Sequence, residues 1–227
     1  MKIDFNKYPL PKRFRHHTAP NLYFPIKELK IIPTTYPPIF DKINWEMYFK
    51  NGKPAQELDV GCGKGAFLLE KAEQNPELNI LGIEIRDNLV KWLQNILKEE
   101  KIENCNVLWY SIVNGLNFIN NNSIENIYYL FPDPWSKQKH LKRRALNFET
   151  LDEYYRILNE NGKLYLATDI KEVHEDHISL LEKHKKLSIK IVEINQKWNQ
   201  PSTNKEQFCL RENIEYYRII ATNHDLV

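Results

Sequence analysis

The chain has 227 residues, a formal net charge of +2 and 42% hydrophobic content, enough for one α/β domain with a well-buried core plus decorations. No apolar run reaches membrane length and no secretory signal is present, so a cytoplasmic protein without a membrane partner is expected. Cys62, Cys105 and Cys209 are odd in number and unpatterned, which argues against a disulfide framework or a metal site. The near-neutral total hides clusters. Residues 1–20 carry Lys2, Lys7, Lys12, Arg13 and Arg15 against Asp4, and residues 137–144 carry basic charge only. Clustered positive charge is the footprint expected for a nucleic-acid partner.

Residues 1–54 are rich in proline, aromatic and basic residues. Pro9, Pro11, Pro20, Pro25, Pro33, Pro37, Pro38 and Pro54 punctuate them too often for long elements. This stretch reads as an extension with a short helix around Asn44–Lys50. Arg13–His17 reads either as a phosphate-contacting arm or as a packed lead-in. From Ala55 to Val227 strands alternate with helices. Strands are expected at Glu57–Val60, Asn79–Ile85, Val107–Tyr110, Ile124–Phe131, Lys163–Ala167, Leu187–Ile194 and Glu215–Ala221. Helices are expected at Ala66–Gln74, Asp87–Lys101 with Asp87 as N-cap, Asn147–Leu158 closed by the turn Asn159–Gly162, and Lys171–Lys185. The alternation implies an α/β fold, a mostly parallel sheet covered on both faces.

Two stretches carry chemistry. Gly61-Cys62-Gly63-Lys64-Gly65 lies between a strand and a helix, where glycines let backbone approach a ligand. Glu84, roughly 20 residues further on, is placed to bind ribose hydroxyls. The turn alone implies an adenosine-containing cofactor and does not separate a nicotinamide from S-adenosylmethionine (SAM). Asp59 tips the choice, because its carboxylate suits a ligand ammonium and would repel a pyrophosphate. The second stretch is Phe131-Pro132-Asp133-Pro134-Trp135, which holds an acid between two prolines at a strand end. It runs into Lys137, Lys139, Lys142, Arg143 and Arg144, cations suited to positioning a phosphate backbone rather than reading sequence. Trp135 reads as a base-stacking platform or as a side chain packed beneath the loop.

Leu58-Asp59-Val60-Gly61-x-Gly63-x-Gly65, Gly82-Ile83-Glu84-Ile85-Arg86, Phe131–Trp135, Lys142-Arg143-Arg144 and Ala167-Thr168-Asp169 occur in this order. Together they resemble the tRNA (guanine-N7)-methyltransferases, class I SAM-dependent enzymes that modify guanosine 46 in the variable loop of tRNA. The resemblance runs from about residue 13 to 221. It implies a Rossmann-like fold with a seven-stranded sheet whose last strand is antiparallel. It also implies SAM as cofactor and tRNA as partner, with a non-catalytic subunit needed only in the eukaryotic branch.

By the same resemblance Asp59 and Gly61 contact the cofactor from the first strand, Glu84 clamps the ribose, and Arg86 lines the same pocket. Ser111 and Ile112 fall at the adenine-contacting turn, with Asn114 available where many members have Asp or Asn in place of Ser111. Leu130 lies beneath the cofactor, Asp133 is the active-site acid beside it, and Lys137 and Asp169 contact substrate. Thr203 and Glu206 match the family's late Thr-x-Phe-Glu element, whose aromatic is Lys205 here. Guanine N7 presents a lone pair without a proton, so methylation needs no general base. Asp133 instead suits a clamp for guanine that offsets its nascent charge. Two alternatives stand beside this one: a nicotinamide-dependent oxidoreductase on the same turn, and a relative that binds RNA without catalysis.

Overall fold

The computed structural model describes residues 1–12, 19–194 and 196–224, so the Arg13–His17 arm lies outside the described residues. The chain divides into two units, Met1–Phe118 and Ile119–Val227.

In the first unit, β1 (Glu57–Val60), α1 (Ala66–Gln74), β2 (Ile80–Glu84), α2 (Asp87–Glu99) and β3 (Cys105–Trp109) follow one another. All residues of β1 and β2 are buried, as expected for central parallel strands that lack a solvent face. The register pairs Asp59 with Gly82 and Glu84 with Trp109. Helix α2 buries Leu89, Val90, Leu93, Ile96 and Leu97, the stripe that a 3.6-residue repeat presents. Asp87 is not its N-cap. Arg86 holds that position, and Asp87 is the first helical residue, paired with Lys91 at 2.7 Å. A carboxylate there still favours the helix, because it faces the positive end of the macrodipole.

The second unit contains β4 (Ile124–Leu130), α3 (Phe148–Ile157), β5 (Leu158–Thr168), α4 (Lys171–His184), β6 (Leu187–Val192), α5 (Asn204–Arg211) and β7 (Tyr217–Asn223). Strand β4 pairs parallel with β5, and β7 is antiparallel to both β5 and β6. The seven strands run in the order β3-β2-β1-β4-β5-β7-β6, the mostly parallel sheet with an antiparallel last strand that the resemblance implies.

Several boundaries differ from the sequence expectation for identifiable reasons. Strand β5 starts at Leu158, ahead of the expected turn. Ile124 pairs with Leu158 while Asn126 pairs with Lys163, so Asn159–Gly162 bulges out of the pairing, with Asn161 at φ +63°. Both the turn and the strand are present, nested one in the other. Helix α5 was not expected, because it buries only Glu206 and Cys209 and so shows no apolar period. Its available signal was Thr203-x-x-Glu206, a capping-box pattern. Thr203 Oγ1 accepts from Glu206 N at 2.9 Å. The helix expected at Asn44–Lys50 is a single 3₁₀ turn, Trp45–Met47, capped by Asn44.

The N-terminal extension is tied to the first unit by specific polar contacts. Ser111 Oγ donates to Leu22 O at 2.8 Å, and Asn114 Oδ1 accepts from Ile26 N at 2.9 Å. Tyr36 Oη donates to Phe24 O at 2.8 Å. Among the described residues no helix is long and apolar enough to cross a membrane.

Gly65 closes the turn into α1 at φ +76°, and a Cβ there would lie 2.6 Å from Leu93 Cδ2. Leu93 is fully buried, so its methyl has nowhere to retreat. Gly65→Ala combines an unfavourable left-handed backbone with overpacking and is expected to lose about 1–3 kcal/mol of stability. Urea unfolding with an unchanged m-value checks this.

Candidate active site

The first unit contains a buried acidic cradle. Asp59 sits on β1, one residue before the sheet gives way to the glycine turn, and is 3% exposed. Its Oδ2 is buried without a hydrogen-bond partner among the described residues. Burial, reinforced by the Glu84 charge, pushes its carboxyl up to about 8. Next to it Gly61 has φ +78°, and a Cβ built there would meet nothing within 4 Å. A carboxylate oxygen lacking a partner, beside backbone that faces open space, is a place built for an added cationic group.

Glu84, at the end of β2, is also 3% exposed, yet its oxygens are occupied. Oε1 accepts from Arg86 N at 3.0 Å and Arg86 Nε at 2.9 Å. Oε2 accepts from Gly63 N at 3.1 Å and Arg86 Nη2 at 2.9 Å. A carboxylate offers about four acceptor positions, so these four donors saturate it. Arg86 therefore does more than line the site, because it forks onto the acid expected to hold the ribose. At the third strand end, Ser111 is 2% exposed and Ile112 is 8% exposed. The Ser111 hydroxyl and the Asn114 amide are engaged by the N-terminal extension as described above, so Asn114 is committed to Ile26 and Tyr36. The buried apolar side chain at this turn is that of Ile112.

The second unit contains the Pro-Asp-Pro turn. Leu130 ends β4 in register with Ala167, and Phe131 N donates to Ala167 O at 2.7 Å. The chain then breaks sharply, with Phe131 at φ +51° and Trp135 at φ +41°. For bulky side chains such backbone costs on the order of 1–3 kcal/mol each and is kept only where the surroundings over-determine it. Asp133, half-buried, is carried on the strained span between them.

Trp135 is packed rather than presented. The Arg143 guanidinium lies 5.0 Å from its ring centroid and the His140 ring meets its edge at 5.7 Å. Arg144 is likewise turned inward, with Nε donating to Pro134 O at 2.9 Å and Nη1 paired with Asp176. Arg143 and Arg144 thus differ from the lysines of the tract in packing against the turn itself. Lys137, Lys139 and Lys142 remain exposed.

Asp169 follows β5 but does not cap α4, whose N-cap is Ile170. It pairs with Lys205 at 2.6 Å, and Lys205 in turn lies 5.1 Å over the Phe208 ring. Phe208 thus puts an aromatic ring one helical turn beyond Lys205. Glu206 is 6% exposed and 3.7 Å from Arg218. Burial raises its carboxyl, while Arg218 opposes the rise. Arg218 Nη2 also donates to the carbonyls of Glu193, Ile194 and Gln196 at 2.8–3.1 Å, tying the start of α5 to the loop before it. The structure thus brings Asp169, Thr203, Lys205 and Glu206 to the entry of α5.

A methyltransferase family model, described as "Putative methyltransferase", matches residues 54–219. Among curated proteins, a tRNA (guanine-N(7)-)-methyltransferase of Prochlorococcus marinus (strain MIT 9515) is 34% identical over 184 residues, 76% of this chain and 87% of that protein. One of Streptococcus pneumoniae (strain 70585) is 34% identical over 138 residues, 61% of this chain. The chain spans 65% of the pneumococcal protein's length, just under two thirds. Among solved structures, a SAM-dependent methyltransferase from Aquifex aeolicus aligns with TM-score 0.52 at 16% identity, covering 74% of this chain and 81% of that one. An O-methyltransferase from Thermotoga maritima aligns with TM-score 0.51 at 14% identity, covering 88% and 68%.

The family model, which covers most of the chain, defines a protein of the methyltransferase class. Within that class, the chain belongs to the tRNA (guanine-N7)-methyltransferase family.

The Asp59 carboxyl ordinarily titrates near 3.8 and is raised to about 8 by the fold. A raised carboxyl means the native state binds the proton more tightly, so stability falls as pH climbs through that window. Asp59→Asn removes the titration. Its melting temperature relative to the parent is therefore expected to rise between pH 5 and pH 8.5, and a pH-independent difference would contradict the assignment.

Proposed function

We propose that this protein transfers the methyl group of SAM to N7 of a guanosine in tRNA, at position 46 of the variable loop. The observation that carries it is the unpartnered Asp59 Oδ2 beside the open face of Gly61. It fits the amino group of a methionine-type ligand and disfavours the pyrophosphate of a nicotinamide cofactor. The relatives' names supply the substrate. tRNA is then the partner and the cytoplasm the place of action. The chain acts in this proposal without a second subunit.

In this proposal Asp59 meets the ammonium end of SAM and ionises as the cation arrives. Glu84 accepts the ribose hydroxyls, which requires Arg86 to give up at least one of its present bonds to the acid. Gly61 keeps the approach clear, Leu130 and Ile112 supply apolar contact, and Ser111 braces the adenine turn from behind through Leu22. Bound SAM supplies an electrophilic methyl on a sulfonium sulfur.

Asp133 accepts from the N1–H and the N2 amino group of guanine, which turns N7 and its lone pair toward the methyl. No proton is removed from N7. As the ring becomes cationic, the Asp133 carboxylate offsets the charge. Holding both reactants in line can supply up to roughly 7–11 kcal/mol. Lys137 binds the tRNA backbone with the other exposed lysines of its loop. Asp169, Thr203 and Glu206 border the substrate side, where Lys205 presents a cation beside Asp169.

Incubation of the purified chain with methyl-labelled SAM and unmodified tRNA should yield labelled 7-methylguanosine in the nuclease digest. Binding of tRNA without any label would instead support a non-catalytic relative. Asp133→Asn keeps the shape but weakens the acceptor. It is expected to hold SAM affinity within a few-fold while turnover falls by on the order of 100-fold or more. Full activity in that variant would remove Asp133 from this role.

A further inference from the structure

The basic tract after the Pro-Asp-Pro turn contains two kinds of cation. Lys137, Lys139 and Lys142 are exposed, whereas the Arg144 side chain is 13% exposed. Arg144 Nε donates to Pro134 O at 2.9 Å, and the same guanidinium pairs through Nη1 with Asp176 on α4. Pro134 is the residue directly after Asp133.

This tie answers a problem that the sequence creates. Pro132 and Pro134 carry no N–H, so the turn has few backbone donors with which to hold itself. Phe131 and Trp135 nevertheless sit at φ +51° and φ +41°, from which bulky L residues relax when nothing restrains them. At the entry, Phe131 N is bonded to Ala167 O at 2.7 Å. At the exit, the carbonyl of Pro134 is bonded to Arg144.

We infer that Arg144 is a positioning residue for Asp133. Its guanidinium ties the Pro134 carbonyl to α4 through Asp176 and so fixes the strained turn that aims the carboxylate. It is not one of the tRNA phosphate contacts. A lysine could keep the charge but lacks the planar fork that serves two acceptors in fixed directions. The inference rests on the methyl-transfer role proposed for Asp133.

The test compares Arg144→Ala, Arg144→Lys and Asp176→Ala with the parent. It measures kcat, KM for tRNA, the salt dependence of tRNA binding, and amide exchange at Phe131, Asp133 and Trp135. In Arg144→Ala, kcat is expected to fall on the order of 10- to 100-fold while KM for tRNA stays within about threefold. The slope of log K against log salt should be unchanged, and exchange in the turn should accelerate. Arg144→Lys recovers only part of the loss, and Asp176→Ala falls between parent and Arg144→Ala.

A phosphate contact predicts the opposite pattern: intact kcat and exchange, higher KM, and a salt slope smaller by about 1. That pattern overturns the inference. Should Arg144→Ala fail to fold, Arg144→Lys and Asp176→Ala carry the same comparison, since Asp176 is 57% exposed. A parent chain without methyl transfer would sink the functional proposal alone. Amide exchange would still decide whether Arg144 holds the turn, and unchanged exchange would overturn that.

Discussion

Two carboxylates buried at the ends of neighbouring parallel strands set the terms for the first unit. Taking ionised groups out of water is costly unless a partner compensates them. The chain treats the two differently. Glu84 receives a full complement of donors, three of them from Arg86. Asp59 receives no partner at Oδ2, and its proton is retained instead. The low-dielectric surroundings that make this expensive come from β1 and β2, buried along their whole length. They also come from the close packing at Gly82, where a Cβ would lie 2.7 Å from Leu68 Cδ2. A site left electrostatically incomplete in this way gains most from a ligand that brings the missing charge, and least from one that adds another anion.

The second unit meets the same problem in its backbone. A turn with two prolines and two bulky residues at positive φ does not hold itself, so its conformation is imposed from outside. The β5 carbonyl of Ala167 restrains the entry, and side chains of the basic tract restrain the exit. Cations that look alike in sequence thereby divide into two groups. Arg143 and Arg144 cover Trp135 and bind Pro134, while the lysines face solvent. Strain placed at a reacting group and held by its neighbours is a familiar way of fixing geometry at functional sites.

The N-terminal extension shows how a segment without regular structure still shapes a site. Ser111 and Asn114 at the end of the third strand bond to residues 22–36, and so brace from outside the turn proposed to receive adenine. The Ser111 hydroxyl is thereby given a structural use.

Sequence by itself determined the alternation of buried strands and amphipathic helices. It also determined the glycine turn with its two acids and the Pro-Asp-Pro span, because each is local: periodicity, glycine and proline act within a few residues of themselves. Helix α1 and strand β1 fall at the expected residues for that reason. Only tertiary structure decided what is set by partners distant in the chain. Arg86 saturating Glu84 was a matter of side-chain direction at a strand end. Arg144 turning from solvent to Pro134 and Asp176 needed α4 beside the turn, 32 residues further on. Lys205 reaching Asp169 needed α5, a helix with too little apolar surface to announce itself. Local patterns say where a charge is carried along the chain, but which partner it meets depends on long-range packing that no short window contains.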